Sequence, residues 1–370
     1  MIYVNGRFLT QPLSGVQRFA TEITTALRRL RGETVVTLAP PGARVDVGAV
    51  RLVGRRRGHV WEQLELPRHA AGGVLVNLGN TAPLRASPQV VVVHDGGVFA
   101  TPEAYSWKFR LFYRLLQRAL VRSGAAVVAV SEFARAEICR HLGAEPGRVA
   151  VIGEGADHMH RIVADPAILA RAGLVPGQFV LVVGNLAAHK NLAALGVLAR
   201  ALADRGMTLA VAGGLPAAAF RAQGNGALPQ PARYLGRIDD KELKALYETA
   251  ACFVFPSRYE GFGLPAVEAM ACGCLVVAAD IPALRETCGE AAIYCDPASP
   301  QDIARTVCRV LDEPALAARA RSAAPARLAE HTWDRAARRL DEAVAAFDCS
   351  SVGAIGVPMS ARRANPCASR

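Results

Sequence analysis

A glycine-rich segment between two glutamates contains the residues best suited to chemistry. It runs Glu260-Gly-Phe-Gly-Leu-Pro-Ala-Val-Glu268 and follows the apolar run Cys252–Pro256. Proline is favoured at the start of a helix, and glycines let backbone N–H groups approach a ligand closely. The free N–H groups at a helix start suit an anion such as a diphosphate. We therefore expect an anion site here, with both carboxylates facing one cleft and Glu268 in the first helical turn.

A lysine and a histidine also follow apolar runs that predict buried strands. Lys190 comes after Phe179–Gly184, where its charge could stabilise a negative leaving group. His94-Asp95 ends the run that begins at Val90, and a His–Asp pair at a ligand-binding sheet edge favours a functional role. The alternatives are a solubilising lysine, a structural histidine, and a glutamate at position 268 that only complements the helix dipole.

The elements that must position these residues alternate between strands and helices, which predicts parallel sheets covered by helices. The predicted strands are Ile2–Leu9, Thr34–Ala39, Val74–Leu78, Val90–His94, Ala126–Ser131, Val149–Gly153, Phe179–Gly184, Thr208–Ala212, Cys252–Pro256, Leu275–Ala278 and Ala292–Cys295. The predicted helices are Gly15–Leu30, Trp107–Arg122, Glu132–Leu142, Asn191–Asp204, Lys241–Ala250, Pro265–Cys272, Pro300–Asp312 and Ala315–His331, with a last one from Trp333 to about Phe347.

This pattern predicts an α/β protein with two Rossmann-like, doubly wound domains. We expect one domain over 1–165 and another over 178–333, separated by a linker near Asp165–Gln178 that is rich in Pro and Gly. A helix over 334–348 is expected to return to the first domain, and the tail 349–370, which lacks periodicity, to be disordered.

Composition narrows the class of function. The 370 residues carry nine cysteines and a net charge of +11. Six of the cysteines lie in or beside apolar segments, and Cys272-Gly-Cys274 is too closely spaced for a usual zinc site, so we expect neither disulfides nor a metal. The basic charge suits nucleic acid, anionic membrane or phosphorylated ligands, but no recognition helix or stacking aromatics indicate nucleic acid. Without a secretory signal or a spanning segment, a cytoplasmic location is expected.

Taken together, these motifs resemble the signature of family 4 glycosyltransferases, which are retaining enzymes of the GT-B fold. The resemblance extends from Asn5 to about Phe347. It implies that Glu268 binds the ribose of a nucleotide sugar, that Glu260 and His94 lie near the transferred sugar, and that Lys190 pairs with the diphosphate. The donor-binding loop contacts would come from Phe262, Gly263 and Leu264.

Further residues match the family pattern. Gly15, in the capping-box sequence Ser14-Gly-Val-Gln17, would let a helix start close to the donor phosphate. Arg237 and Ile238 lie in the segment that flanks the nucleotide base. Asn185 stands where many members have an arginine, so one phosphate contact differs.

The resemblance also implies chemistry without a cofactor. No Asp-X-Asp motif is present to hold a metal. Gly79-Asn-Thr-Ala-Pro83 resembles loops of members that build bacterial polysaccharides, for which the expected donor is GDP-mannose and the expected acceptor a glycan or a lipid-linked glycan. The alternatives are a nucleotide-sugar epimerase on the same fold, or a non-catalytic subunit.

A lipid-linked acceptor would require peripheral contact with an anionic membrane. Arg55–Arg57 followed by Trp61, and the helix that begins at Trp107 and Lys108, combine basic and indole side chains suited to such a surface. The alternative is a solvated loop.

Overall fold

The structure is a computed structural model that describes residues 1–45, 48–86, 88–102, 105–184, 187–213 and 228–352. Its strands, β1 to β13 in chain order, are Ile2–Asn5, Val35–Ala39, Val50–Leu52, Val74–Asn77, Gln89–Val93, Ala126–Ala129, Val149–Val151, Phe179–Val183, Thr208–Ala212, Arg233–Gly236, Cys252–Phe255, Val276–Ala279 and Ala292–Cys295.

The helices, α1 to α14, alternate with these strands. They are Gly15–Arg31, Gly58–Leu64, Leu66–His69, Gly97–Ala100, Trp107–Arg122, Glu132–Leu142, Ala167–Ala172, Gly196–Asp204, Asp240–Thr249, Leu264–Ala271, Pro282–Cys288, Pro300–Asp312, Pro314–Glu330 and Trp333–Val352. Within the described residues, no helix is long and apolar enough to cross a membrane.

The strands form two parallel sheets, as expected for two doubly wound α/β domains. The first has the order β3-β2-β1-β4-β5-β6-β7 and the second the order β10-β9-β8-β11-β12-β13. Alternate residues of one strand enter different cores: Phe179 and Leu181 of β8 pack in one, while Val180 and Val182 pack in another. Each sheet is therefore buried on both faces, which explains why its strands read as continuous apolar runs.

Several local expectations are corrected. The first strand ends at Asn5 and continues as a single 3₁₀ segment, Gly6–Thr10, rather than as a strand to Leu9. The helix expected from Asn191 begins at Gly196, after a 3₁₀ turn. The short strands β3 and β10 and the short helices α2, α3, α4, α7 and α11 were not predicted.

The segment expected to be a linker is packed. It contains α7, and its apolar side chains Ile168, Leu169 and Leu174 lie in the core of the second domain. After the second domain, α14 returns to the first one, where Trp333 and Leu340 enter the core. Ion pairs from Arg29 to Asp334 and from Arg31 to Asp341 tie α14 to α1. Residues 353–370 of the tail lie outside the described residues.

Candidate active site

Lys190 and Glu260 meet at the edge of the second sheet where its strand order reverses. The loop of Lys190 follows β8 and the loop of Glu260 follows β11, the two strands on either side of the reversal. Ligands of open α/β sheets bind at this switch point, beyond the carboxyl ends of the strands. Lys190 Nζ lies 2.6 Å from Glu260 Oε1, and both side chains are largely buried. Without a ligand, the two charges therefore neutralise each other.

Backbone and amide contacts hold these two loops together. Asn191 adopts a left-handed backbone conformation with φ +59° and donates to the carbonyl oxygens of Pro256 and Pro297 at 3.1 and 2.7 Å. The Arg258 amide donates to the His189 carbonyl at 2.8 Å. Lys190 therefore sits on a braced loop, which limits the rearrangement needed when its partner changes from Glu260 to a ligand.

The glycine loop presents its backbone, not its side chains, to the cleft. Gly263 has φ +98°, and a Cβ there would lie 2.4 Å from Leu284. A Cβ on Gly261 would lie 2.0 Å from the carbonyl oxygen of His94, so this glycine allows the two domains to touch. The side chains of Phe262 and Leu264 are buried among first-domain residues. At the start of α10, Pro265 has no N–H and the Ala266 amide donates to the Gly263 carbonyl at 2.9 Å, so the N–H groups of Gly263 and Leu264 remain for a ligand.

Glu268 is the fifth residue of α10, not part of its first turn as we expected. This position rules out the reading in which it only complements the helix dipole, since that effect is confined to the terminal turn. Its carboxylate is buried, and Oε1 lies 3.1 Å from His158 Nε2. Oε2 has no hydrogen-bond partner among the described residues, so one oxygen is held and the other is available.

His94 lies at the cleft, but its partner is not the adjacent aspartate. Asp95 accepts from the Gly97 amide at 2.7 Å. The ring of His94 instead places Nδ1 3.4 Å from Glu154 Oε1 and Nε2 2.9 Å from the carbonyl oxygen of Leu78. The expected His–Asp pair is therefore replaced by a buried His94–Glu154 pair.

Both ring nitrogens of His94 face acceptors, and this affects its protonation. Burial alone would lower the pKa of His94, but the carboxylate of Glu154 and the carbonyl of Leu78 together raise it. A doubly protonated ring would add positive charge beside the cleft. Glu154 was missed from sequence, although a glutamate in an otherwise apolar and glycine-rich segment is a signal that could have marked it.

The remaining predicted residues lie at the rim of the cleft. Gly15 begins α1, and a Cβ there would meet nothing within 4 Å, so the helix start is open. The capping box is not formed as expected, because the Ser14 hydroxyl bonds the Gln17 side chain rather than a backbone amide. Arg237 donates to the Leu13 carbonyl at 3.0 Å and so reaches the first domain.

Ile238, the other residue expected near the nucleotide base, is only partly buried and packs against the core of the second domain. Asn185 lies outside the described residues. Within the described part of the chain, no three His, Cys, Asp or Glu residues are placed to hold a metal ion.

A separate cavity of about 520 Å³ opens elsewhere between the domains. Glu286, Arg327, His331 and Arg335 contribute to its lining. Of the predicted donor residues only Phe262 reaches it, so it is distinct from the switch-point site.

The basic surface of the first domain also differs from expectation at one position. Trp61 is fully buried, and its indole N–H donates to the carbonyl of Val53 at 2.8 Å, so it cannot belong to an exposed interface. Trp107 is 64% exposed, and Leu111, Phe112 and Leu115 of the same helix are also exposed. Arg114 and Arg118 of this helix lie over the ring of Phe99.

Two family models match the chain, one in each domain. Residues 13–159 match the model described as Glycosyltransferase Family 4, and residues 173–327 match the model described as Glycosyl transferases group 1. The matched ranges include the helix start at Gly15, His94, Lys190 and the whole Glu260–Glu268 segment.

Individual proteins are similar over part or all of the chain. The O-antigen chain mannosyltransferase B of Escherichia coli is 31% identical over 58% of this chain and 59% of its own length. The curated relatives include larger proteins, of which the chain matches as little as 31%. Among solved structures, HepE of Anabaena in complex with UDP and glucose has a TM-score of 0.71 at 17% identity, covering 93% of this chain and 99% of its own. Sucrose-phosphate synthase of Thermosynechococcus elongatus has the same TM-score and identity, covering 94% and 99%. These two structures share the fold.

Proposed function

Because this chain belongs to the family 4 glycosyltransferases of group 1, we propose that it transfers a hexosyl group from a nucleotide sugar to a glycan or a lipid-linked acceptor. The transfer retains the anomeric configuration and needs no metal. We place it in the assembly of a bacterial polysaccharide, at the cytoplasmic face of the cell membrane.

The observation that carries the proposal is the contact of Lys190 with Glu260 beside the start of α10. One cation, one carboxylate and the free backbone N–H groups of Gly263 and Leu264 lie on the loops that follow the two strands at the switch point. A nucleotide diphosphate sugar offers a matching anion and a set of hydroxyl groups. The diphosphate binds Lys190 and the amides near Gly263, and the sugar hydroxyls donate to Glu260. The ion pair between Lys190 and Glu260 is thereby replaced by two contacts with the ligand.

The ribose end of the donor is assigned to Glu268 and the base to the segment at Arg237 and Ile238. The free Oε2 of Glu268 accepts from a ribose hydroxyl, while Oε1 stays with His158. Gly15 lets α1 approach the diphosphate from the first domain. His94 lies across the cleft near the sugar, where a ring protonated on both nitrogens would stabilise the negative charge that develops on the leaving group.

The chemical step follows from these positions. As the glycosidic bond lengthens, negative charge grows on the leaving diphosphate and positive charge on the sugar. Lys190 and the helix amides stabilise the negative charge on the diphosphate, and Glu260 stabilises the positive charge on the sugar. The acceptor hydroxyl oxygen bonds to the anomeric carbon from the face that the phosphate leaves, and the departing phosphate takes the hydroxyl proton, so the configuration is retained. Contact between Gly261 and His94 excludes water and so limits hydrolysis.

The donor we test first is GDP-mannose, because several of the curated relatives are mannosyltransferases. UDP-glucose is the comparison donor. A screen for release of the nucleoside diphosphate in the presence of a glycan acceptor tests the proposed function.

Activity is expected to persist in excess EDTA. Lys190 and the amides at the start of α10 supply the neutralisation that a divalent cation would otherwise provide. The measurement is the initial rate of nucleoside diphosphate release before and after chelation. Loss of activity that manganese or magnesium restores would contradict this expectation.

Peripheral membrane contact is proposed through an apolar and basic surface of the first domain. Its members are the exposed side chains Arg55, Arg56, Arg57, Val60, Trp107, Lys108, Leu111, Phe112 and Leu115. The ring of His59, at the start of α2, contacts that of Phe112 with centroids 4.9 Å apart, which places the arginine loop beside the face of α5. Apolar side chains beside lysine and arginine suit the interface of an anionic bilayer.

Substituting Arg55, Arg56 and Arg57 with serine is expected to weaken binding to anionic vesicles about 100-fold. The reason is the loss of about 1 kcal/mol for each basic residue near the surface. Co-sedimentation with anionic and neutral vesicles at low salt measures it, and binding should fall as salt rises. A second variant replaces three exposed apolar residues of α5 with serine: Trp107, Leu111 and Leu115. Its matched control replaces three exposed apolar residues elsewhere with serine: Leu30, Val163 and Val175. Equal, negligible binding of the wild type to both vesicles would exclude the membrane surface.

A further inference from the structure

A buried histidine links the proposed ribose ligand to the C-terminal helix. His158 lies in the 3₁₀ turn Asp157–Arg161, where the chain passes from the first domain to the second, and is 2% exposed. Its Nε2 lies 3.1 Å from Glu268 Oε1. On the other side of the ring, the indole N–H of Trp333 points at Nδ1 over 3.1 Å. Three side chains that are far apart in sequence therefore form one buried chain of hydrogen bonds.

The direction of this chain is fixed by its tryptophan end. An indole N–H can only donate, so Nδ1 of His158 must accept and the ring proton must be on Nε2. That proton points at Glu268. His158 consequently donates one hydrogen bond to Oε1 and leaves Oε2 for a ligand.

The backbone around this chain is tightly packed. The Trp333 amide donates to Asp157 Oδ1 at 2.8 Å, and the Ala156 amide donates to the His331 carbonyl at 3.1 Å. A Cβ on Gly155 would lie 2.3 Å from the Trp333 amide nitrogen. The chain crosses between the domains at residues 155–158 and again at 331–333, and these two segments therefore lie against each other. As a result, the orientation of His158 depends on where α14 begins.

The same tryptophan also faces the first-domain side of the cleft. The ring of Trp333 packs edge to face on Phe19 with centroids 5.9 Å apart, and Phe19 packs on His94 at 4.6 Å. Trp333 thus contacts both Phe19, which packs on His94, and His158, which contacts Glu268. Its indole N–H, however, is directed only at the Glu268 side.

We propose that His158 and Trp333 are positioning residues for nucleotide recognition. They hold Glu268 in the one orientation that directs Oε2 to the ribose hydroxyls, so that ribose binding depends on the docking of α14 at the crossing point. This inference rests on the proposed role of Glu268 in donor binding. Neither residue is placed in contact with the donor.

The test compares ribose with deoxyribose, because a merely structural role would weaken both nucleotides alike. Isothermal titration measures the dissociation constants of GDP and UDP, and then of the 2′-deoxy and 3′-deoxy forms of whichever binds more tightly. A charge-assisted hydrogen bond predicts that the wild type prefers a ribose form about 10- to 100-fold. The variants His158→Leu and Trp333→Phe are expected to reduce this preference to about 3-fold or less.

Two further variants separate positioning from folding. His158→Gln keeps an N–H donor toward Glu268 and should retain most of the preference. Trp61→Phe removes an equally buried indole hydrogen bond far from the site and should leave the preference unchanged, whatever its effect on melting temperature. A folded Trp333→Phe protein therefore keeps the test decisive if His158→Leu does not fold.

The outcomes distinguish this inference from the function on which it rests. An unchanged ribose preference in folded His158→Leu and Trp333→Phe, together with its loss in Glu268→Ala, would overturn the positioning role and leave the function intact. A ribose preference that survives in Glu268→Ala would remove Glu268 itself from ribose binding. No binding of either nucleotide to the wild type would overturn both.

Discussion

Replacing Lys190 with alanine is expected to lower kcat by about 100- to 1,000-fold, which is the cost typical of removing one preorganised donor from a developing anion. Its amine contacts Glu260 in the loop before α10 and is largely buried, so solvent screens it little. Because charge on the diphosphate grows toward the transition state, the lysine contributes more there than in the bound donor. KM for the donor should rise much less than kcat falls.

Steady-state kinetics with a fixed acceptor measure both parameters. Lys241→Ala, which removes an exposed lysine from the same domain, is the control and should behave as the wild type. Glu260→Gln gives the contrasting result: it removes the carboxylate that competes with phosphate for Lys190, so nucleoside diphosphate binding should hold or tighten while turnover falls. If Lys190→Ala weakened donor binding as much as turnover, the lysine would act by uniform binding instead.

Glu268→Ala is expected to weaken nucleoside diphosphate binding by about 1.5–3 kcal/mol, or about 10- to 150-fold. The loss comes from one charge-assisted hydrogen bond to ribose. The substitution also leaves the buried N–H of His158 without its acceptor, which should cost about 1–3 kcal/mol of the free energy of unfolding.

Titration calorimetry and thermal unfolding separate the two effects. Glu268→Gln keeps the size of the side chain and an oxygen that can accept from His158, so its melting temperature should stay closer to that of the wild type than that of Glu268→Ala. Unchanged nucleotide affinity in a folded Glu268→Ala protein would refute the ribose assignment.

The architecture and one edge of the site could be predicted from sequence for a clear physical reason. Strands buried on both faces read as apolar runs, and the Gly-Phe-Gly-Leu-Pro turn can occur only where a strand gives way to a helix. That local pattern located the loop after β11, and the apolar run of β8 located Lys190. Both residues lie where parallel strands end, so their meeting follows from topology.

The residues that support the site could not be predicted in this way. Glu154, His158 and Trp333 act through contacts with residues that are far away in the chain, such as His94 and Glu268. No local periodicity records such contacts. Trp61 illustrates the converse error, because it follows a run of arginines in sequence while its ring lies in the core.

The short elements were missed because three or four residues carry too little pattern. β3 and β10 are edge strands at the ends of their sheets, with partly exposed side chains. Helix α7 lies in a segment whose proline and glycines indicated a linker, yet its apolar residues pack in the second core. Tertiary burial overrode the local turn signals there.

The central claim is tested most directly by measuring transfer itself. Purified protein is incubated with GDP-mannose or UDP-glucose, with and without a glycan acceptor, and both the nucleoside diphosphate and the sugar product are identified by mass spectrometry and NMR. The account predicts acceptor-dependent release of the diphosphate, a product with the anomeric configuration of the donor, and neither in a Lys190→Ala, Glu268→Ala double variant. Conversion of the donor into an epimeric nucleotide sugar without acceptor, or the same release from the double variant as from the wild type, would contradict it.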